Sequence, residues 1–497
     1  MYYKRFYLRL GVFIRYYITT PIYYVNDKPH IGHAYTTTMA DIFARWHRLC
    51  GDEVFFLTGT DEHGEKIEKA ALKEGITPKI FVDKVVLKFT DMWKELDISY
   101  DKFIRTTDIV HEETVKKFIK MLYEKGDIYK GNYEGWYCVP DETFITELQL
   151  VEGKCPVCGR EVKKVSEETY FFRLSKYQKQ LLEFYEKNQE FLMPKTRSAE
   201  IINRVKDGLN DISITRTTVK WGIPFPIDEK HTIYVWFDAL INYLSALDWP
   251  DGDLKIFWPA NVHVVGKEIN WFHTVIWPAL LFSAGIELPK MVFAHGWWTV
   301  EGKKMSKSLG NAIDPLDIKK RYGLDQMRYF FVREVPFGDD ADFSEKALIA
   351  RINGELVNDL GNLVFRTLTL AERFDGIIKG TPELDKHLDV EKIKTLMRNF
   401  DTFNAMDEIW SQIRASNKYI NEKEVWKLKG EELSNALYNL LESIRVITIL
   451  ITPFMPKTAE KIRIQLGVDA QKIDKCKFSE YSGTVKKGGH LFEKINS

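Results

Sequence analysis

The chain has 497 residues, of which 45% are hydrophobic, and its 71 Lys and Arg residues balance its 71 Asp and Glu residues. This is the composition of an ordinary soluble protein, and at roughly 100 to 200 residues per domain it predicts about three domains. A formal net charge of zero does not indicate a nucleic-acid partner, although a basic face can coexist with an acidic one. No run of about 18 apolar residues occurs, which argues against a membrane-spanning helix.

Residues 1–15, MYYKRFYLRLGVFIR, are basic and aromatic and contain no acidic residue. Organellar presequences share these features, but this segment lacks serine and has no clear cleavage signal. We therefore expect a short N-terminal overhang in a cytoplasmic protein.

The sequence that follows the overhang predicts a strand, a helix and a second strand. The run RYYITTPIYYV is strand-like, and in AYTTTMADIFARWHRLCGD the apolar residues Ile42, Trp46 and Leu49 share one helical face before Gly51. The continuous apolar run EVFFLTG is typical of a strand that is buried on both faces. This βαβ unit predicts a parallel sheet, in a domain that begins at residue 16.

The turn between that first strand and its helix reads NDKPHIGHA, residues 26–34. A helix N-terminus offers N–H groups and about half a positive charge to an anion, and Gly32 allows close approach to the backbone. His30 and His33 add side-chain donors, which makes the turn a candidate phosphate site. Nearby histidines often serve only local hydrogen bonds, and that interpretation stays open here.

Residues 127–225 interrupt the sheet pattern with charge-rich helices and a cysteine cluster at about 134–165. The spacing Cys138, Asp141, Cys155 and Cys158 resembles a four-cysteine zinc knuckle in which aspartate replaces one ligand. Five cysteines in total, three of them in this cluster, favour a reducing compartment over a disulfide framework.

The sheet pattern resumes at residues 226–300 with three strand-like runs, TIYVWFDAL, VHVVGKE and MVFAHGW. Residues 301–350 form a linking segment that begins with the lysine-rich loop VEGKKMSKSLGNAIDP. Such a loop is either a solvated surface turn or a mobile cover that neutralises polyphosphate charge during transfer. Strand signals end near 345, and helical stripes over 351–475 predict an α-helical bundle, followed by a tail at 476–497.

HIGH at 30–33 together with KMSKS at 304–308 resembles the signature pair of class I aminoacyl-tRNA synthetases. The segments TTPIYYVND, FLTGTDEHGEKI, YVWFDALINY and GKEINWFHTVIWPA are similar to the methionyl-tRNA synthetase family over about residues 16–470. The resemblance implies a split Rossmann-type domain with a connective insertion and a helical anticodon-binding domain. It also implies that methionine and ATP form methionyl-adenylate and that methionine passes to tRNA(Met), for initiation and elongation of translation.

The resemblance assigns residues to each substrate. The residues implied in catalysis are His30, His33, Lys304 and Lys307. The residues implied in ATP binding, with Mg²⁺, are His30, Gly32, His33, His295, Lys304, Ser306 and Lys307. The residues implied in methionine binding are Ile22, Tyr24, Asp61, Trp236, Ala239, Leu240, Tyr243, Ile269, His273 and Trp277. The residues implied in anticodon binding are Asn358, Asn362, Arg366 and Trp426. A structural zinc at Cys138, Asp141, Cys155 and Cys158 is implied for some members of the family.

Several assignments have plainer structural alternatives. Asp61 could cap the following helix, and the aromatic side chains at helical spacing could be ordinary core. Leu240 and Val425 stand where proline is common in the family. The competing functions are a class I synthetase for another amino acid, such as cysteine, and a tRNA-binding adaptor that has lost catalysis. We expect a monomer, or a partnership with a separate tRNA-binding chain.

Overall fold

The computed structural model describes residues 14–138, 143–145, 147, 150–156, 159–300, 303–304, 313–479 and 481–496, with no side-chain description at 143–145 and 303–304. Residues 1–13 of the predicted N-terminal overhang, Asp141, Cys158, Ser306 and Lys307 lie outside these ranges, whereas Arg15 begins the first strand. None of the helices in the described ranges is long and apolar enough to cross a membrane.

The predicted βαβ unit is confirmed at the start of the chain. Strand β1 spans Arg15–Tyr24, helix α1 spans Ile31–Leu49 and strand β2 spans Glu53–Asp61. Helix α1 ends at Cys50, and Gly51 then adopts φ +89°, a value that favours glycine.

In the described residues, fifteen strands form four sheets. Their remaining bounds are β3 Lys102–Arg105, β4 Ile128–Cys138, β5 Thr143–Ile145, β6 Lys163–Phe172, β7 Leu192–Met193, β8 Ile212–Ser213, β9 Thr215–Arg216, β10 Thr232–Ile233, β11 Val262–Gly266, β12 Val292–His295, β13 Trp298–Val300, β14 Lys303–Lys304 and β15 Ala341–Phe343. The largest sheet has the order β3-β2-β1-β11-β12-β7. In this sheet β1 pairs with β11, β2 pairs with β3 and β12 pairs with β7, each in parallel. The Rossmann-type fold class is thereby confirmed.

Strand β1 lies at the switch point of this sheet. From β1 the chain continues to β2 and β3 on one side, and it returns to β11 and β12 on the other side. In open parallel sheets, ligands bind at the carboxyl ends of the strands next to such a point. We therefore expect a ligand site among the residues that follow β1, β2 and β11.

Nine α-helices are described before residue 300. After α1 they are α2 Glu65–Glu74, α3 Pro78–Glu95, α4 Ile109–Glu124, α5 Gln178–Lys187, α6 Lys195–Lys206, α7 Val235–Ala239, α8 Asn242–Ser245 and α9 Trp277–Ala284. The strand-like prediction for TIYVWFDAL is wrong, because the strand covers only Thr232 and Ile233, and Val235–Ala239 form α7. The carboxylate of Asp238, on the buried face of α7, bonds to two histidines from distant segments, and such contacts are not visible in a local apolar run.

The predicted insertion is built around a long antiparallel hairpin of β4 and β6, paired from Ile128 with Phe172 to Tyr137 with Lys163. One expectation needs correction, because the insertion also contributes to the main sheet. Strand β7 pairs in parallel with β12, with Leu192 opposite Val292 and Met193 opposite Phe293.

The described chain divides into two compact units, and the boundaries predicted from the sequence stay predictions. One unit contains residues 16–29 and 55–294, with the main sheet and the insertion around one apolar core. Of the described residues, the other contains 14–15, 30–54, 295–300, 303–304, 313–479 and 481–496.

The second unit is mainly helical. Its helices after residue 295 are α10 Pro315–Tyr322, α11 Leu324–Arg333, α12 Glu345–Arg351, α13 Asn362–Glu372, α14 Val390–Arg398, α15 Thr402–Glu422, α16 Gly430–Ile451 and α17 Pro456–Leu466. Helix α16 is buried over most of its length, including Leu437, Leu440, Leu441 and Ile444. The predicted helical bundle is confirmed.

Candidate active site

The two histidines of the HIGH motif cap helix α1. The His30 N–H donates to Nδ1 of His33 at 3.1 Å, and Nδ1 of His30 accepts from the Gly32 N–H at 3.1 Å. The imidazole rings lie 3.9 Å apart, centroid to centroid. This reciprocal arrangement is a capping box in which imidazoles replace the usual serine and glutamate.

The cap determines what these histidines offer to a ligand. A ring that accepts at Nδ1 is in the neutral tautomer with its proton on Nε2, so each histidine presents an N–H donor at Nε2. Gly32 makes the arrangement possible, because a Cβ there would lie 2.9 Å from Cε1 of His30. The predicted phosphate site and the local hydrogen-bonding interpretation are therefore compatible.

His295 packs against the first turns of the same helix. Its Nε2 lies 2.8 Å from Oγ1 of Thr36, and Thr36 also donates to the carbonyl of Gly32 at 3.0 Å. His295 is 5% exposed and contacts the edge of the Tyr35 ring. Four of the residues implied in ATP binding, His30, Gly32, His33 and His295, are thus connected through the first turns of α1.

The KMSKS segment is described only in part. Lys303 and Lys304 form β14, which pairs with β13 so that Lys304 lies opposite Thr299. The roles implied for Ser306 and Lys307 fall outside the described residues.

The side chains implied in methionine binding belong to the core of the sheet unit. Leu240, Tyr243, His273 and Trp277 are at most 2% exposed, and Ala239 is also buried. The half-buried members packed against the same core are Ile22, Tyr24, Trp236 and Ile269. The rings form a connected set in which Tyr243 lies 6.1 Å from Trp277 and 5.8 Å from His273, and Trp236 lies 6.4 Å from His273, nearly perpendicular to it.

His273 is the polar centre of this aromatic set. Its Nδ1 lies 2.9 Å from the carbonyl of Ile269, so this nitrogen carries the proton and donates. Its Nε2 then accepts from the Tyr243 hydroxyl at 2.7 Å. Burial lowers the pKa of His273 to about 4, which keeps the imidazole neutral at physiological pH.

The residues before α9 do not form the regular helix that the sequence predicts. A π-helix at Phe272–Ile276 precedes α9, and a short 3₁₀ turn covers Lys267–Ile269. Such π segments occur often at functional sites. The irregular turn brings Phe272 onto Trp236, with parallel rings only 3.7 Å apart.

Asp61 ends strand β2 and is 9% exposed. Its carbonyl accepts from the Val25 N–H at 3.2 Å, and the next residues are also bonded to the loop that follows β1, because the Tyr24 hydroxyl donates to the carbonyl of His63 at 2.8 Å. The alternative role of Asp61 as a helix cap is not observed, because Gly64 is the N-cap residue of α2.

Several side chains of this region were not predicted from the sequence. His263 stacks on Tyr243 at 4.0 Å, and its Nδ1 bonds to Thr19 at 2.8 Å. Phe272 lies within the segment GKEINWFHTVIWPA that carried the family resemblance, so the sequence contained a signal that it could belong to the site. His63, His111 and Asp238 form a buried hydrogen-bonded chain, and only the histidine of DEHG could have been noticed in the sequence.

Two of the four residues implied in anticodon binding contact each other in the helical unit. The Arg366 guanidinium lies 5.8 Å from the centre of the Trp426 ring and donates to Asn421 at 2.9 Å. Trp426 is 50% exposed, and Asn358 and Asn362 are also exposed. A π-helix, Ile352–Gly361, carries Asn358, and α13 begins at Asn362.

The described part of the zinc-knuckle segment fits a metal site only in part. Cys138 and Cys155 are both buried and belong to one small cluster with Trp136, Leu150 and Val162. Thiolates are preferred zinc ligands, whereas Asp141 and Cys158 lie outside the described residues.

A second group of metal-type ligands lies elsewhere in the insertion. Ligand atoms of Glu168, Asp228 and His231 lie within 4.8 Å of one another. The ammonium of Lys130 already lies among them, 2.8 Å from Glu168 and 3.7 Å from Asp228. We interpret this group as an ion-pair network.

Comparison with known proteins places this site in a family. Residues 16–167 and 159–368 match the family model described as tRNA synthetases class I (M), and residues 386–492 match the anticodon-binding domain of tRNA ligase. A methionine–tRNA ligase of Caldanaerobacter subterraneus subsp. tengcongensis is 52% identical over 97% of this chain and 79% of its own length. A methionine–tRNA ligase of Rickettsia felis is 48% identical over 92% of this chain and 93% of its own length.

The fold gives the same assignment. The structure of Mycobacterium tuberculosis methionyl-tRNA synthetase in complex with methionyl-adenylate matches with a TM-score of 0.92 and 40% identity, over 96% of this chain and 99% of that chain. The chain therefore belongs to the methionine–tRNA ligase family of class I tRNA synthetases.

Proposed function

We propose that this chain joins L-methionine to tRNA(Met) in two steps. The methionine carboxylate attacks the α-phosphorus of ATP, which releases pyrophosphate and forms methionyl-adenylate. The terminal ribose hydroxyl of tRNA then attacks the methionyl carbonyl and releases AMP. The observation that carries the proposal is the buried aromatic set around a neutral His273, in a chain of this family.

The amino-acid pocket suits methionine in both charge and polarity. The Asp61 carboxylate is assigned to the substrate ammonium, and the rings of Trp236, Tyr243 and Trp277 offer apolar and polarizable surface to the thioether. A charged imidazole would not suit an apolar side chain, and the low pKa of His273 avoids that charge. The remaining members assigned to this pocket are Ile22, Tyr24, Ala239, Leu240, Ile269 and His273.

The phosphates of ATP are assigned to the first turn of α1. The Nε2–H groups of His30 and His33 and the N-terminus of the helix all donate to anions, which supports this role. Gly32 and His295 belong to the same arrangement, and Lys304, Ser306 and Lys307 are assigned from the family motif. The lysines would stabilise charge that develops on the phosphates during transfer, and Mg²⁺ would accompany ATP.

The anticodon of tRNA is assigned to the exposed face that carries Asn358, Asn362, Arg366 and Trp426. Exposed amides can read base edges, and an exposed indole beside a guanidinium can stack on an unpaired base. We also propose a structural zinc held by Cys138, Asp141, Cys155 and Cys158, supported by the shared burial of the two described cysteines. A cytoplasmic monomer remains our expectation, and light scattering at micromolar concentration tests its oligomeric state.

The test is pyrophosphate–ATP exchange with each of the twenty amino acids. We expect exchange that depends on methionine. Exchange with cysteine or another amino acid instead would keep the fold and overturn the pocket assignment. Exchange with none of them, in folded protein that still binds tRNA, would favour a tRNA-binding adaptor.

A further inference from the structure

A buried chain of three charged or polar side chains lies behind the amino-acid pocket. Nδ1 of His63 lies 2.6 Å from one carboxylate oxygen of Asp238, and Nε2 of His111 lies 2.7 Å from the other. Nδ1 of His111 is 2.7 Å from the hydroxyl of Ser245. His63, His111 and Asp238 are 3%, 0% and 1% exposed, so water does not screen these contacts.

Both histidines donate to the carboxylate of Asp238. Burial would raise the pKa of Asp238, but the attraction of His63 and hydrogen bonds from both histidines lower it below its usual value. Burial would likewise lower the pKa of His63, but Asp238 raises it. The buried Asp238 carboxylate is therefore held by both histidines, and removing a partner of a buried charge is costly.

His63 belongs to the turn 61–64, which is held on several sides. The Tyr24 hydroxyl donates to the His63 carbonyl at 2.8 Å, and the Trp221 indole N–H donates to the Glu62 carbonyl at 2.5 Å. The Gly64 N–H donates to the Trp221 carbonyl at 3.0 Å. These hydrogen bonds hold the turn together as one unit. Asp61 lies at its start, and the His63 side chain links it to α7.

Asp238 belongs to α7, which we assign as the wall of the pocket next to the substrate side chain. It lies on the five-residue helix α7 with Trp236 and Ala239, and Leu240 follows directly. The bond between His63 and Asp238 therefore joins the ammonium end of the pocket to the wall that faces the substrate side chain. His111 and Ser245 hold the far side of the same carboxylate from helices α4 and α8.

We propose that the His63–Asp238–His111 chain fixes the separation between Asp61 and the α7 wall, and thereby determines the length of side chain that the site accepts. The three are positioning residues, because they act through Asp61 and Trp236. This inference rests on the proposed methionine activation. It assigns to these residues the discrimination between methionine and analogues that differ by one methylene.

The test uses Asp238→Asn, which keeps the shape of the side chain and removes its charge. Pyrophosphate exchange is measured with L-methionine and with L-ethionine, which is one methylene longer. We expect kcat/KM for methionine to fall about tenfold and that for ethionine to fall less than twofold, with KM for ATP unchanged. Equal losses for the two amino acids would overturn the proposal.

Asp127→Asn is the matched control. Asp127 is also a buried carboxylate of the same unit with three partners, Lys176 at 2.5 Å, Tyr177 at 2.5 Å and Ser283 at 2.8 Å, and it is not bonded to the pocket. The variant Asp127→Asn should lower the melting temperature without changing the ratio of kcat/KM for methionine to kcat/KM for ethionine. A change in that ratio as large as that of Asp238→Asn would mean that general destabilisation relaxes the pocket.

A milder variant covers the case in which Asp238→Asn does not fold. Ser245→Ala removes only the last bond of the chain, and we expect a shift of the ratio in the same direction and of smaller size. An unchanged ratio in folded Ser245→Ala and His111→Gln protein would overturn the proposal. Absence of methionine exchange in the wild type would instead refute the proposed function itself.

Discussion

His30 and His33 cap a helix, and the same geometry suits the phosphate-binding role that we propose for them. Their Nδ1 atoms cap α1, and this use of Nδ1 directs the proton of each ring to Nε2. Both rings are therefore fixed in orientation and tautomer before ATP arrives. Donors that are already in position need not rearrange when the transition state forms.

The substitution Gly32→Ala tests this arrangement. The new Cβ would lie 2.9 Å from Cε1 and 3.1 Å from Nδ1 of His30, so the ring must move and the cap opens. Loss of a helix cap costs about 1 kcal/mol, and an equal loss of transition-state binding slows exchange roughly fivefold to tenfold. Pyrophosphate exchange at varied ATP concentration measures this. Gly354→Ala, which places a Cβ with no atom within 4 Å, is the control and should leave exchange unchanged.

The neutral state of His273 predicts a dependence of stability on pH. Burial lowers its pKa from 6.5 to about 4, so this base must release a proton when the protein folds below pH 6.5. The free energy of unfolding is therefore unaffected by the titration of this group above pH 6.5. It decreases by about 3 kcal/mol in total as the pH falls to about 4. Denaturant unfolding between pH 7 and 4 measures the loss.

The variant His273→Gln should show a weaker pH dependence than the wild type, because one proton fewer is taken up on unfolding. The exposed residue His387 provides the control, and His387→Asn should keep the wild-type dependence. Identical pH profiles for the wild type and His273→Gln would contradict the assignment of a neutral His273.

At the scale of elements, the anticodon face combines a charged and an aromatic side chain from two separate segments. Arg366 lies on α13, whereas Trp426 lies in the 3₁₀ turn Val425–Lys427. Val425, at the position where proline is common in the family, is fully buried and anchors that turn. The turn can therefore hold the indole at the surface without proline.

Arg366→Lys should separate tRNA charging from methionine activation. Lysine cannot keep both the planar contact with Trp426 and the bond to Asn421, and stacking with a base is worth about 1–3 kcal/mol. We expect KM for tRNA(Met) in aminoacylation to rise about tenfold while methionine-dependent exchange stays unchanged. Arg373→Lys, an exposed arginine at the end of the same helix, should change neither. Equal loss of both activities would argue against an anticodon role.

The knuckle element makes a prediction about metal content. If zinc is held by Cys138, Asp141, Cys155 and Cys158, purified protein should contain about one equivalent of zinc, because structural sites bind zinc tightly. Cys155→Ser should lose the metal and melt at a lower temperature, whereas Cys50→Ser should keep it. Elemental analysis gives the result, and wild-type protein with less than roughly 0.3 equivalents would rule out the site.

At the scale of the whole molecule, elements with a strong local signal were predictable and long-range contacts were not. The periodic residues Ile42, Trp46 and Leu49 correctly predicted α1, and the apolar runs at β11 and β12 correctly predicted buried strands. The carboxylate of Asp238 meets partners 175 and 127 residues away, and no local pattern reveals such pairs. The same long-range packing explains why YVWFDAL became a helix.

In the candidate site, too, local motifs were predictable and long-range contacts were not. Its residues could be named because family motifs mark them, but their connections could not. The imidazole cap of His30 and His33, the stack of Phe272 on Trp236 and the bond from Tyr243 to His273 depend on the three-dimensional arrangement. The π-helices at both sites also escaped prediction, because apolar spacing does not distinguish them from α-helices.

Strand β7 makes the insertion an inseparable part of the sheet. Leu192 and Met193 pair with the edge of β12, so excising residues 127–225 would leave the main-chain N–H group of Val292 without its partner, the carbonyl of Phe191. An uncovered strand edge recruits other chains and leads to aggregation. A shortened version of this protein, natural or engineered, must therefore keep a segment over β12 to remain soluble.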